Sequence, residues 1–216
     1  MRKFYLLGWL LAILAGCDNV LPQNLEERVR THLRESRAHE RMESEVAVFA
    51  TSKGKFVVRL FADTPRSVQH VRALIDDKLY DGIRVHRVVK TPVPFVVQFG
   101  DPRTKGKPGK DFVWEAGADG KAVAGAGDAG RMIAFEPGKH KHERGAVALA
   151  HREGDTRGGS QLYITLAPQP QLDGKFTVIG QVIEGMDVVE KLERGDTIEK
   201  ARLVEDARAK GDTAAN

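Results

Sequence analysis

The sequence predicts an all-β dominated domain, built as a closed antiparallel sheet whose ends are capped by two helices. Short runs rich in β-branched and aromatic residues recur along the chain, and no regular helices alternate with them as in a doubly wound fold. Only two amphipathic helical segments interrupt these runs. The chain has 216 residues, which suits one domain with an appendage.

The domain is predicted to open with a hairpin and a helix. Residues 46–50 alternate apolar and polar side chains, Ser52-Lys53-Gly54-Lys55 supplies a turn, and Phe56–Leu60 resumes the strand pattern. Thr64-Pro65 then provides a cap and a first-turn proline for a helix. The buried stripe of this helix is predicted to consist of Val68, Val71, Leu74 and Ile75.

The rest of the domain is predicted to be strands with one more helix. A short helix fits residues 186–193, with Met186, Val189 and Leu192 on one face. Residues 100–145 contain ten glycines and are predicted to form a long loop-rich excursion. The strands are predicted at residues 83–89, 95–100, 146–150, 161–166, 177–183 and 197–204.

The composition excludes several classes of protein. The chain is 41% hydrophobic and 30% charged, which excludes a long disordered chain, a collagen and a polytopic membrane protein. Its single cysteine, Cys17, can form neither an internal disulfide nor a cysteine-rich zinc or iron–sulfur site. The net charge of +4 falls to +2 if Arg2 and Lys3 leave with a signal peptide. Nothing in this charge balance indicates a nucleic-acid partner.

The N-terminus is predicted to be a lipoprotein signal peptide over residues 1–16. Arg2 and Lys3 precede an uncharged run from Phe4 to Gly16, which is too short to span a bilayer but suits the core of a signal peptide. Its end, Leu14-Ala15-Gly16-Cys17, resembles the lipobox of bacterial lipoproteins, in which the cysteine is acylated and becomes the first mature residue. The alternative is an ordinary signal peptide that contains a cysteine.

The lipobox implies a protein of the bacterial cell envelope that is anchored to a membrane through acyl chains on Cys17 and faces the periplasm. Asp18 directly after the cysteine resembles a retention signal for the plasma membrane, which favours that membrane over the outer one. Residues 17–45 are predicted to be a lipidated N-terminus and a charged helical stalk, with a partner-binding helix as the alternative. Residues 46–204 are the predicted domain, expected to be monomeric, and residues 205–216 a disordered tail.

Three local patterns do not carry a function. Gly125–Gly130 matches the G-x-G-x-x-G fingerprint, but the residues after it leave no room for the helix that a dinucleotide site needs. His140, His142 and Glu143 are interpreted as solvent-exposed polar residues of a loop, since a catalytic zinc site needs three ligands of defined geometry. Ser160 lacks the second glycine of a nucleophile elbow. We therefore expect no metal and no cofactor.

Four ordered segments carry the functional signal: Val85-His86-Arg87-Val88, Phe95-Val96-Val97-Gln98, Gly159-Ser160-Gln161-Leu162-Tyr163 and Leu172-Asp173-Gly174-Lys175-Phe176. Together they resemble the cyclophilin family of peptidyl-prolyl isomerases, and the resemblance extends over residues 46–204. It implies an eight-stranded antiparallel barrel capped by two helices. It also implies an enzyme whose substrates are X–Pro segments, here those of exported proteins.

The resemblance implies a catalytic group and a substrate groove. Matched position by position, Arg87 takes the place of the catalytic arginine, Phe95 matches the floor of the proline pocket, and Gln98 matches the glutamine beyond it. An arginine inside an apolar strand needs a partner or a task, whereas the apolar members would also suit an ordinary core. The implied substrate-binding residues are Val96, Ala150, His151, Gln161, Tyr163, Leu172 and Phe176.

These residue types suit the isomerisation of an X–Pro bond, which is slow because amide resonance imposes a barrier of about 18–20 kcal/mol. No bond is made or broken, so neither a nucleophile nor a metal is required. In the twisted transition state the prolyl nitrogen regains a lone pair, and Arg87 can donate to it without losing its proton. One preorganised donor contributes about 2.7–4 kcal/mol. The alternative function is a non-catalytic chaperone or scaffold that only holds proline-containing chains.

The sequence departs from the family pattern near the site. The stretch between Arg87 and Phe95 is three residues longer than is usual and contains Thr91-Pro92-Val93-Pro94. Phe176 stands where many members carry histidine, and Gln171 where many carry tryptophan. The missing tryptophan does not by itself remove catalysis, because that side chain is not the donor.

Overall fold

The computed structural model describes residues 23–106, 129–152 and 154–206. The predicted signal peptide, Cys17 and the predicted tail beyond residue 206 lie outside the described residues. Residues 107–128 of the predicted excursion lie outside them as well. The chain divides into two compact units, of which the first ends at Glu40 and the second begins at Arg41. A long helix, α1 (Gln23–Ser44), belongs mainly to the first unit. None of the helices in the described ranges has the length and apolar character needed to cross a membrane.

Helix α1 lies where the helical part of the stalk is predicted. Its side chains Leu25, Val29 and Leu33 are exposed. The helix ends at Ser44, and the first strand begins at Glu45.

The second unit consists mainly of strands. In the part of it that the structure describes, helices α2 (Pro65–Asp76) and α3 (Met186–Lys191) follow α1, and short 3-10 turns lie at Pro102–Thr104 and Pro170–Leu172. The strands are β1 (Glu45–Thr51), β2 (Gly54–Leu60), β3 (Ile83–Arg84), β4 (Arg87–Val89), β5 (Val96–Phe99), β6 (Ile133–Ala134), β7 (Ala146–Leu149), β8 (Arg157–Gly158), β9 (Leu162–Thr165), β10 (Val178–Glu184) and β11 (Thr197–Glu205).

Nine of these strands form one curled antiparallel sheet in the order β3-β11-β1-β2-β10-β7-β9-β5-β4. The predicted antiparallel sheet is therefore present, but the closed eight-stranded barrel is not confirmed. The run 83–89, predicted as one strand, is divided at Val85-His86. The Val85 amide donates to Asp196 O at 2.8 Å and the His86 amide to Gln98 O at 3.1 Å, so the chain changes neighbours and its halves occupy the two ends of the sheet order.

The main core lies on one face of this sheet. Phe49 packs against Phe56, Phe99 and Tyr80, with ring centroids 5.0, 5.7 and 6.0 Å apart. Both helices bury apolar residues in the same core, including Val189 of α3. The predicted stripe of α2 is confirmed, since Val68, Val71, Leu74 and Ile75 are all buried.

Two features near the chain's irregular segments were not predicted. Strands β6 and β8 form a small separate sheet of two residues each. Strand β11 also continues to Glu205, and the carboxylate of the buried Asp206 contacts Arg59 at 3.4 Å. Glu205 and Asp206, the first two residues of the predicted tail, are thus part of the described structure.

The N-terminus of α2 is capped by a carboxylate from a distant loop. Glu136 is buried and accepts hydrogen bonds from the amide and side chain of Arg66, both at 3.3 Å, and from the amide and hydroxyl of Ser67 at 2.8 and 2.7 Å. Thr64, the residue before the helix, makes no side-chain cap. The carboxylate therefore satisfies donors that the helix leaves open and opposes the positive end of its dipole.

We expect Glu136→Gln to lower the free energy of unfolding by about 1.5–3 kcal/mol at neutral pH, since hydrogen bonds to a charged group are lost. Burial acts to raise the pKa of Glu136, but the hydrogen bonds from Ser67 and Arg66 outweigh it and hold the pKa below its usual value. The stabilisation is thus present above the unfolded-state pKa and is lost as the pH falls through the folded-state pKa. Urea denaturation at pH 7 and pH 4 measures this, with the exposed Glu143→Gln as control. A difference from wild type that stays constant with pH would contradict it.

Candidate active site

A small cleft lies on the sheet face opposite the main core. Its cavity volume is about 110 Å³, smaller than the roughly 150 Å³ cavity that holds benzene, so it suits a single five-membered ring. Nine of the ten residues implied at the sequence level line it: Arg87, Phe95, Val96, Gln98, Ala150, His151, Tyr163, Leu172 and Phe176.

Strand register brings the site residues into one row. Arg87 on β4 pairs with Gln98 on β5, Gln98 pairs with Tyr163 on β9, and Tyr163 pairs with Ala148 on β7. Partners in an antiparallel ladder point to the same face, so these side chains lie side by side. Their neighbours Val97, Phe99 and Ile164 point the other way into the main core.

A second apolar cluster lies on the sheet face that carries the cleft. Ala146 and Ala148 of β7 and Ala150 just after it share the face of Tyr163, because alternate residues of a strand point to the same side. Phe61, Phe95, Leu172 and Phe176 pack against this cluster. Of its alanines, Ala150 lines the cleft.

The polar side of the cleft is a short hydrogen-bonded chain. Arg87 Nη1 donates to Gln98 Oε1 at 3.3 Å, and Gln98 Nε2 donates to Gln161 Oε1 at 2.9 Å. The Arg87 guanidinium also lies over the Phe95 ring, with 5.5 Å between its carbon and the ring centroid. Among the described residues it has no other hydrogen-bond partner, so its remaining N–H groups can donate to a substrate.

Gln161 is the one implied substrate-binding residue that does not line the cleft. It is buried behind Gln98 and orients it. Burial lowers the pKa of the neighbouring His86 to about 4, against the opposing effect of Asp101. His86 is therefore neutral at pH 7, and Arg87 carries the only positive charge of this pair there.

Aromatic rings form two adjoining walls of the cleft, one with Tyr163 and one with Phe176. His151 stacks on Phe176 with ring centroids 4.1 Å apart, and Tyr163 meets Phe176 edge-on at 5.8 Å. The ring nitrogens of His151 lie 3.0 Å from the carbonyl oxygens of Arg152 and Lys175. The side chain of His151 is thus part of the aromatic lining of the cleft.

His142 was interpreted as a solvent-exposed loop residue, and this is wrong. It is only 2% exposed. Its Nδ1 lies 2.9 Å from Asp173 Oδ1 and its Nε2 lies 2.9 Å from the Tyr163 hydroxyl oxygen. The available signal was Tyr163 itself, because a tyrosine in a buried strand needs a partner for its hydroxyl. Within the described residues no group of three or more metal-ligating side chains is present.

Comparisons with known proteins agree with this geometry. Residues 46–210 match the family model described as cyclophilin type peptidyl-prolyl cis-trans isomerase/CLD. A peptidyl-prolyl cis-trans isomerase of Helicobacter pylori is 34% identical over 156 residues, which are 71% of this chain and 83% of that protein. Peptidyl-prolyl cis-trans isomerase B of Bacillus subtilis is 32% identical over 139 residues, which are 64% of this chain and 82% of that protein.

Solved structures show the same fold. A cyclophilin type peptidyl-prolyl cis-trans isomerase of Cryptosporidium parvum aligns with a TM-score of 0.59 and 22% identity, over 76% of this chain and 99% of that one. A second crystal structure of it, in the presence of the dipeptide Ala-Pro, aligns with a TM-score of 0.54 and 23% identity over 75% and 99% of the two chains.

Proposed function

Because the chain belongs to the cyclophilin-type peptidyl-prolyl cis-trans isomerase family, we propose that Arg87 is the group that accelerates its reaction, by donating to the prolyl nitrogen in the twisted transition state. The observation that carries this proposal is the position of Arg87. Its guanidinium stands at the rim of a cleft the size of one ring, with N–H groups open to a substrate.

The cleft supplies what the reaction needs apart from the donor. The apolar side chains of Phe95, Leu172 and Phe176 surround the place where a proline ring fits. With the ring held, rotation about the X–Pro bond moves only the chain on the acyl side. Gln98, oriented by Gln161, is placed to hold that chain, and Arg87 meets the nitrogen lone pair that appears as the bond twists.

Measuring the isomerisation of an X–Pro peptide tests this function. The full chain, purified in detergent, is expected to raise the interconversion rate in proportion to its concentration. Unlabelled peptides that contain proline should compete, whereas the same peptides with alanine in place of proline should not. Binding of the peptide without any acceleration would support a holding module in place of an isomerase mechanism.

We further propose that the enzyme is anchored in the bacterial plasma membrane through an acylated Cys17, faces the periplasm, and assists the folding of exported proteins. The N-terminal sequence supports this, since residues 1–16 have the form of a signal peptide that ends in a lipobox. A stalk would then hold the domain away from the lipid surface, and α1 has the charged character that such a spacer needs.

Replacing Cys17 with serine is expected to abolish acylation completely, because a hydroxyl does not replace the thiol that receives the lipid. Mass spectrometry of the protein expressed in a Gram-negative host should show the wild-type mature chain beginning at an acylated Cys17. Cys17→Ser should carry no acyl group and should not be cleaved before residue 17. A wild-type chain without an acyl group would contradict the proposal, and Arg87→Ala is the control that should be acylated normally.

A further inference from the structure

We propose that His142 is a positioning residue of the active site, which sets the width of the proline-binding cleft by linking two of its walls. The link consists of three side chains, Asp173, His142 and Tyr163, and is called here the Asp173–His142–Tyr163 link. This inference rests on the proposed function of the cleft, but it concerns a residue that does not line the cleft.

The hydrogen-bond partners assign the protons along the link. Asp173 Oδ1 lies 2.9 Å from both the backbone nitrogen and Nδ1 of His142. These bonds, first the one from the backbone and then the one from the ring, hold the pKa of Asp173 below its usual value, so its carboxylate only accepts. Nδ1 therefore carries hydrogen in the neutral ring, and Nε2 accepts from the Tyr163 hydroxyl at 2.9 Å.

The buried tyrosine is held by this acceptor. Burial, with a smaller contribution from the charge of Asp173, raises the pKa of Tyr163 and keeps its hydroxyl protonated. The hydroxyl thus keeps the hydrogen that it donates to His142. The bond therefore holds the ring of Tyr163, which lines the cleft, through a partner that does not line it.

The other end of the link fixes the adjoining wall, which carries Leu172 and Phe176. Asp173 follows Leu172 directly, and Leu172 lies in the 3-10 turn Pro170–Leu172. The turn is tied again to the histidine, because the Gln169 amide donates to His142 O at 2.8 Å. Phe176 is held to the same turn, since the Phe176 amide donates to Leu172 O at 3.4 Å. His142 therefore spans from β9 to the segment that carries both Leu172 and Phe176.

A change in cleft width is expected to affect KM and kcat differently from the loss of the Arg87 donor. The proline ring occupies the cleft in the cis form, in the trans form and in the transition state between them. A change in the walls therefore alters the binding of all three nearly equally, which raises KM and leaves kcat almost unchanged. Loss of Arg87 has the opposite signature, because its donation is stronger in the transition state than in either planar form.

Two variants of His142 each remove one of the two side-chain hydrogen bonds of the link. In His142→Asn the short amide can still donate to Asp173 but does not reach Tyr163. In His142→Gln the longer side chain can still accept from the Tyr163 hydroxyl but gives up the Nδ1 position. We expect His142→Asn to raise KM about 3- to 10-fold, the value of one hydrogen bond, with kcat within about twofold. His142→Gln should raise KM less than His142→Asn does if the tyrosine end dominates.

The decisive measurement is a double-mutant cycle with the full chain. In a Tyr163→Phe background, His142→Asn is expected to change KM by less than about twofold, because the bond it removes is already absent. Glu143→Gln, at the exposed next residue of the same loop, is the control that should leave KM and kcat unchanged. An unchanged KM in His142→Asn would overturn the proposal. The same increase in both backgrounds would also overturn it, since it would indicate general destabilisation.

Two further readouts keep the test independent of folding and of the reaction mechanism. If His142→Asn does not fold, Tyr163→Phe alone removes the same bond with a smaller change, and its KM should rise about 2- to 5-fold. Calorimetric titration of a proline peptide reports cleft width even where no isomerisation is seen. A Kd that rises in the same order as KM supports the link, while loss of acceleration in the wild type would count only against the proposed function.

Discussion

Arg87→Ala is expected to lower kcat for X–Pro isomerisation by about 100- to 1,000-fold, the effect of removing one preorganised donor from an active site. The uncatalysed reaction takes tens to hundreds of seconds, so a loss of this size removes most of the acceleration that a turnover of about 10 s⁻¹ represents. Protease-coupled or exchange measurements of an X–Pro peptide with the full chain give kcat directly.

The stability of this variant should be nearly unchanged, because Arg87 is exposed at the rim and its only described hydrogen bond is a 3.3 Å contact with Gln98. Arg87→Lys is the informative companion. It keeps the positive charge but lacks the planar guanidinium that contacts Gln98 and Phe95 together, so only part of the rate should return. A kcat for Arg87→Ala within threefold of the wild type would contradict the mechanism.

Gly100→Ala is expected to cause the largest loss of stability, about 4 kcal/mol or more in the free energy of unfolding. Gly100 follows β5 with a φ of +107°, which side chains rarely adopt. An added Cβ would lie 2.2 Å from Ser160 O and 2.7 Å from Gln161 Cα, and both are backbone atoms that cannot rotate away. The strain would displace the residues just before β9, where Gln161 supports Gln98.

Gly106→Ala separates the steric effect from the conformational one. Gly106 also has a positive φ, +70°, but a Cβ there would meet nothing within 4 Å. We expect this control to lose only about 1–2 kcal/mol, the cost of a left-handed conformation. Urea denaturation of both variants decides between the explanations. Equal losses would show that the close approach of Gly100 to β9 does not matter.

Local patterns in the sequence were enough to predict the parts of the fold that depend on periodicity. The stripe of α2 followed from the 3.6-residue repeat of Val68, Val71, Leu74 and Ile75, and it is buried as expected. The row across β4, β5 and β9 also depends on a simple rule, since alternation places Gln98 and Tyr163 on one face and Val97 and Ile164 on the other. Matched motifs then indicated which face carries the cleft.

Features that depend on distant partners could not be predicted in this way. The division of the run 83–89 arises because the Val85 and His86 amides bond to Asp196 and Gln98, which lie far apart in sequence. His142 was misjudged for the same reason. Its burial depends on Tyr163 and Asp173, which are 21 and 31 residues away, and no local pattern in the loop indicates either contact.

The most direct test of the central claim is exchange NMR of an X–Pro peptide at saturating concentration with the wild-type full chain and with Arg87→Ala. Both proteins are expected to bind the peptide with Kd values within about threefold of each other, because the cleft walls are intact. Cis–trans exchange of the bound peptide is expected at about 10 s⁻¹ or faster in the wild type and at least 100-fold slower, about 0.1 s⁻¹ or less, in Arg87→Ala. Equal exchange rates in the two proteins, with equal occupancy, would contradict the assignment of Arg87 as the catalytic donor.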